Sequence, residues 1–160
     1  MKDVWTFPWI ATLLAVLRGA SAQSERSVVG TWKLVSASSS ADKAVFGQSP
    51  TGFLTYTPDG HMSGLIAYDG RKQLSNSDIF SVPIEETAQA FSTFIAYAGR
   101  YTFTGRQVIH HVEIASIQNW VNTDLTRDAT FEGDRMILRT PPMTSSGVSQ
   151  TFELVWQRVK

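Results

Sequence analysis

The chain contains no cysteine. No disulfide can hold it, and no thiolate is available as nucleophile or metal ligand. Formal net charge is zero, from 14 basic and 14 acidic residues, and there is no basic run. The electrostatic footprint of a nucleic-acid or membrane-surface binder is therefore missing. No Asn-x-Ser/Thr acceptor occurs, because Asn76, Asn119 and Asn122 each lack the third residue. A Gly-x-Ser-x-Gly elbow, a phosphate loop and a dinucleotide fingerprint are also missing, which argues against hydrolase, kinase and dehydrogenase chemistry. The longest apolar stretch, Val4 to Leu17, is too short and too interrupted by Thr6, Pro8 and Thr12 to favour a membrane span. Lys2 precedes it and Ala20-Ser21-Ala22 follows with the small-x-small form of a cleavage site. This pattern predicts a secretory signal peptide over residues 1–22, a mature chain from Gln23, and residence outside the cell or in the secretory-pathway lumen.

Bulky aromatic material is plentiful: nine Phe, five Trp and four Tyr, with Trp5 and Trp9 in the leader. A mature chain of about 138 residues can bury about two-thirds of its unfolded surface, enough for one domain over residues 23–160 without disulfides. Its hydrophobic period is mostly two. Val28 to Ala37 reads as a first strand, with Trp32, Leu34 and Ser36 on one face. Gly52 to Thr57 and His61 to Tyr68 alternate on either side of Pro58-Asp59-Gly60. There Pro fixes φ and Gly takes a left-handed conformation, so a tight hairpin is expected. Gly70 to Val82 reads as a polar loop. Ile84 to Ala98 changes to helical spacing, with a stripe of Ala88, Phe91, Ile95 and Ala98 expected to pack on a sheet. Pro83 precedes this helix, Glu85 and Glu86 suit its first turn, and Gly99 is expected to stop it. Leu125 to Glu132, Arg135 to Thr140 and Gln150 to Val159 are further strands, and Thr144 to Gly147 a flexible loop. About eight strands in successive antiparallel hairpins, with one helix after the third, predict an all-β fold. A closed up-and-down barrel is expected, with a sandwich as the alternative.

The most informative segment is Gly99 to Trp120, two strands around a turn at Thr104-Gly105-Arg106. Its second strand carries His110, His111 and Glu113. Neighbours in a strand point to opposite faces. His110 should share a face with Val108, Val112 and Ile114, and His111 with Ile109 and Glu113. One imidazole is thus directed into apolar surroundings, either as a hydrogen-bonded core group or as part of a site.

Gly30-Thr31-Trp32 at the head of the first strand and Arg158 at the end of the last resemble the lipocalin and wider calycin pattern. In that pattern a tryptophan closes the barrel base and an arginine packs across it, a cation–π contact. Tyr56-Thr57-Pro58-Asp59-Gly60-His61-Met62, Phe94-Ile95-Ala96-Tyr97-Ala98-Gly99-Arg100-Tyr101, His110-His111-Val112-Glu113 and Asn119-Trp120-Val121 follow in order. Together they resemble the lipocalin-like domain family of bacteria and fungi, over roughly Val28 to Val159. The corner after Trp120 departs from the family's usual Gly and Gln, with Asn122 and Leu125 here. The resemblance implies an eight-stranded barrel and a small hydrophobic ligand. Some members are similar to proteins encoded beside fungal secondary-metabolite enzymes, where such barrels can act as cofactor-free cyclases or isomerases.

On that reading His110 could move a proton within a cavity. Tyr56, Tyr97 or Tyr101 could hold an enolate or phenol oxygen, and Arg100 could stabilise developing negative charge. The candidate catalytic residues are His110, Arg100 and Tyr101. The candidate ligand-binding residues are Tyr56, His61, Tyr97, His111, Glu113 and Trp120. His110 and His111 diverge from a regular strand and cannot chelate one ion together; His61, His111 and Glu113 could do so only by converging, and no metal or other cofactor is expected. The expected partner is a small hydrophobic molecule, bound by a monomer or homodimer, without nucleic acid or membrane after leader cleavage. A carrier and a cofactor-free isomerase or cyclase are the competing functions. A pure interaction module would instead show a filled interior and a large exposed apolar patch.

Overall fold

The computed structural model describes residues 27–160; the expected leader over residues 1–22 lies outside them. Ten strands are formed: β1 (Gly30–Ser39), β2 (Thr51–Tyr56), β3 (His61–Ala67), β4 (Phe94–Phe103), β5 (Gln107–Ala115), β6 (Asp124–Glu132), β7 (Arg135–Arg139), β8 (Met143–Ser145), β9 (Val148–Gln150) and β10 (Phe152–Arg158). Eight of them close into an antiparallel barrel in the order β1-β2-β3-β4-β5-β6-β7-β10. A helix, α1 (Ile84–Ser92), lies between β3 and β4. The sandwich alternative is thereby excluded. The segment expected as a loop at Thr144 to Gly147 is instead the β8–β9 hairpin, turned by Ser146 and Gly147, both at positive φ.

The two ends of the barrel differ. At the base, consecutive strands join through tight turns at Gly60, Gly105 and Gly133, each at positive φ. At the other end the connections span 40–50, 68–93, 116–123 and 140–151. The base is plugged by Trp32, which is 1% exposed and donates its indole N–H to Val28 O at 2.7 Å. The Arg158 guanidinium stacks over it, 4.1 Å from the ring centroid. Arg158 also donates to Val29 O at 2.6 Å and Ser27 O at 2.7 Å, tying the last strand to the segment that leads into β1. Burying an indole removes roughly 150–250 Å² from water, worth about 4–6 kcal/mol. The cation–π contact adds about 2 kcal/mol, so packing dominates and Arg158 acts mainly as clamp. Phe131, Phe103, Met136 and Val108 continue the plug.

Two β-bulges change which residues face inward. The β1–β10 register shifts between Leu34 and Ser36. Trp32, Leu34, Ala37 and Ser39 are buried as a result, while Ser36, expected beside Trp32 and Leu34, turns outward. On β5 the register shifts beside Glu113: Gly99 pairs with Val112 and Ala98 with Ile114. The extra residue reverses the alternation, so Ile114, expected with His110, points to solvent. The close approach here needs glycine, since a Cβ on Gly99 would lie 2.1 Å from His111 O.

The helix is shorter than its spacing predicts. It ends at Ser92, and Phe94 to Ala98 belong to β4, with Ile95 and Tyr97 directed into the barrel. Gly99 therefore sits mid-strand and stops no helix. None of the residues of α1 is buried. Phe91 is exposed, so the expected packing of the aromatic stripe on the sheet does not occur. Ile95 and Ala98 fit the helical spacing by coincidence; cross-strand pairing with β3 and β5 decides their conformation.

Gly30 meets two constraints at once. Its φ is +131°, and an added Cβ would lie 2.7 Å from Arg158 Nη1. Gly133 has only the positive φ, with open space around it. Gly133→Ala should cost about 1–2 kcal/mol in backbone strain. Gly30→Ala should cost more, roughly 3 kcal/mol, because the clamp is displaced as well. Urea unfolding of both variants checks this; equal losses would show that Arg158 does not hold the base.

Candidate functional site

β5 directs His110 inward between Val108 and Val112, and the imidazole is fully buried. Both ring nitrogens have partners. Tyr56 Oη lies 2.7 Å from Nε2 and Tyr97 Oη 3.1 Å from Nδ1. A neutral imidazole offers one N–H and one bare nitrogen, and a phenol hydroxyl can donate or accept, so the three groups satisfy one another uncharged. Burial disfavours the imidazolium most, and the Arg127 guanidinium and the neighbouring His111 add to it; together they push the His110 pKa down to about 3. Burial likewise raises the phenol pKa of both Tyr56 and Tyr97. For Tyr97 the neighbouring Arg127 guanidinium partly offsets the rise.

Beside this bridge lies a cavity of about 240 Å³. Its wall combines barrel residues such as Leu54, Ile66 and Leu154 with Phe46, Ile117 and Met143 from the open-end connections. Of the bridge, Tyr97 reaches the cavity, while Tyr56 and His110 stand behind it. Trp120 meets the Tyr97 ring edge-on at 5.8 Å. The corner after it is turned by Asn122 at φ 60°, a conformation that Asn tolerates better than most residues. Leu125, just beyond, joins the cavity wall. The corner that departs from the family's usual residues thus helps to form the cavity mouth.

The barrel brings Tyr56, Tyr97, His110 and Trp120 together. Tyr101 stacks edge-on against Tyr56 and donates its hydroxyl to Thr57 O at 3.0 Å, toward the base. The other expected site residues stand on the outer wall, because strand alternation turns them away from the interior. Arg100 Nε lies 3.6 Å from Glu113 Oε1, both side chains exposed. His111 joins Asp124 Oδ1 at 2.7 Å and Thr102 Oγ1 at 2.9 Å. His61 lies 3.3 Å from Asp59. His61, His111 and Glu113 do not converge, and among the described residues no three His, Asp or Glu are placed to hold a metal ion.

Of the cavity residues only Tyr97 and Trp120 are among the expected site residues, and two of those missed carry polar groups that matter. Arg127 reaches the cavity from β6, and Trp156 from β10 with its indole N–H buried and without an acceptor. Arg127 carries a usable signal: Leu125, Arg127, Ala129 and Phe131 alternate, which puts a polar side chain on an otherwise apolar face, as for His110. Trp156 is recognisable as inward-facing, but an unpartnered N–H leaves no trace in sequence.

The unfolded chain binds a proton at His110 near pH 6.5, and the folded barrel refuses it until about pH 3. This group therefore leaves stability unchanged above pH 6.5, and stability falls as pH drops from there towards 3, by at most about 1.4 kcal/mol per pH unit. Urea unfolding at about pH 7 and about pH 5 should show a loss smaller by about 2 kcal/mol in His110→Gln than in the unsubstituted protein. Equal losses would mean that His110 takes up its proton in the folded state.

The family model for the lipocalin-like domain matches residues 29–159, which contain all eight barrel strands and the Trp32–Arg158 contact. The chain is 33% identical over 107 residues to the 4'-hydroxy-3'-methoxypropiophenone carrier protein ppsC of Aspergillus oryzae (strain ATCC 42149 / RIB 40). That alignment covers 61% of this chain and 96% of the relative. With the family match spanning the closed barrel and its clamped base, the chain belongs to the lipocalin-like domain family.

Proposed function

We propose that this protein is a carrier that holds one small apolar molecule in the barrel cavity, in the service of a biosynthetic route to a small aromatic product. The observation that carries the reading is the cavity itself, about 240 Å³, largely apolar and formed by the wide end of a barrel whose base is plugged. An apolar void of roughly 150 Å³ already accommodates benzene, so this volume suits one substituted aromatic ring. The relative from Aspergillus oryzae, by its name, carries a molecule of that size. A pure interaction module needs no cavity, although Ile79, Phe80, Ile84 and Phe91 are exposed on the 68–93 connection.

The isomerase or cyclase reading draws on Tyr97 and Arg127, which do touch the cavity. Its proton carrier is the weak point. Both nitrogens of His110 are occupied, the ring is out of the cavity, and a group with a pKa of about 3 is a poor base near neutrality. Binding without conversion is the function that this geometry favours.

Trp120 and Trp156 line the cavity and report its occupation. Titration with 4'-hydroxy-3'-methoxypropiophenone should quench tryptophan fluorescence saturably, at one ligand per chain, and chromatography should return the compound unchanged. Leu154→Trp, which fills the cavity, should abolish the quench. A product isomer of equal mass would favour the cyclase or isomerase reading, and a linear, unsaturable response would contradict the carrier.

A further inference from the structure

Among the described residues, two donors in the cavity wall are incompletely matched: the Trp156 N–H has no acceptor, and the half-buried Arg127 has no carboxylate partner. Trp156 is 2% exposed, and its indole N–H meets no acceptor among the described residues. Arg127 is the one charged residue among the described residues that line the cavity. None of the ion pairs among the described residues includes it. Its Nη1 donates to Thr126 O at 2.8 Å, which leaves most of the guanidinium fork for the cavity side, where the Tyr97 hydroxyl is its neighbour.

Guanidinium and indole N–H are donors only. A positive charge in an apolar wall is costly unless an opposite charge or good acceptors meet it. Packing gives no reason for it, since Leu125, Ala129 and Phe131 fill the same face of β6 with apolar side chains. The positive field is felt by its surroundings, where it opposes a proton on His110 and favours charge on Tyr97 and Tyr56. The missing counterpart is an acceptor with negative charge.

We propose that the cavity selects a single-ring-sized apolar molecule bearing an ionised oxygen acid, whose oxygens pair with Arg127 and accept from the Trp156 N–H. Carboxylates, acidic phenolates and enolates of 1,3-dicarbonyl compounds share that chemistry. The inference rests on the carrier reading and narrows its ligand class. Tyr97 adds a hydroxyl beside the same charge, and the apolar remainder of the wall takes the ring.

The test compares 3-phenylpropanoate with 3-phenylpropanamide, which have nearly the same shape and differ in charge. Isothermal titration calorimetry at neutral pH should show the carboxylate binding about tenfold more tightly. Arg127→Gln should remove that preference and Arg127→Lys should keep most of it, with circular dichroism confirming that each variant is folded. Trp156→Phe should weaken the carboxylate more than the amide. Equal or tighter binding of the amide by the unsubstituted protein would overturn the anionic ligand and leave the carrier standing; this arm needs no variant. A preference that survives in folded Arg127→Gln would also overturn it. No binding of either compound at millimolar concentration would overturn both readings, since the cavity would then admit no single ring.

Discussion

The imidazole of His110, bonded at both nitrogens by Tyr56 and Tyr97, is the constraint on which the interior depends. An eight-stranded barrel is just wide enough to be filled by side chains or to hold one small ligand. Here side chains fill the base, and a cavity remains above it. Trp32, Phe103, Phe131 and Met136 fill the base. The two tyrosines and the histidine span the interior beside the cavity without leaving any of their polar atoms unpaired. Losing one member would strand the others in a low-dielectric interior, where an unmet polar group costs about 1–3 kcal/mol. A neutral, fully bonded histidine suits a wall better than a reaction centre.

The asymmetry of the connections completes the division. Tight turns and the Trp32–Arg158 clamp close the base. The long connections at the other end supply Phe46, Ile117, Trp120 and Met143 to the cavity. The polar pairs outside have a different role. Arg100 with Glu113, and His111 with Asp124, are exposed pairs on the outer wall, and such pairs contribute little in water. Arg127 differs because it faces inward and forms no ion pair among the described residues.

Much of the barrel is legible in the sequence because most strands are half-buried and alternate cleanly. Leu54 and Tyr56 on β2, and Leu154 and Trp156 on β10, share a face by alternation, and in the barrel that face points inward. Ser36 and Ile114 depart from their expected faces for a single reason: a bulge inserts one residue and reverses the parity of the residues beyond it. Phe94 to Ala98 are strand rather than helix because a short apolar run satisfies helical and extended periods alike, and only its partners on β3 and β5 decide. Of the candidate site, Tyr56, Tyr97, His110 and Trp120 come together as a cluster. Arg100 and Arg127 show the limit. Both are basic residues on barrel strands, and what separates them is one step of parity, which puts Arg100 in solvent and Arg127 in the cavity.

The barrel is proposed to hold its ligand without converting it, and that requires His110 to stay neutral and bonded on both sides. Nitrogen NMR of the histidine side chains between about pH 7 and pH 4.5 tests this most directly. The predicted result is one imidazole with a fixed pair of signals, one N–H and one bare nitrogen, unchanged across the range and assigned to His110 by its loss in His110→Gln. A His110 signal that moves towards the imidazolium position near pH 6.5 would contradict it and make His110 a proton carrier again.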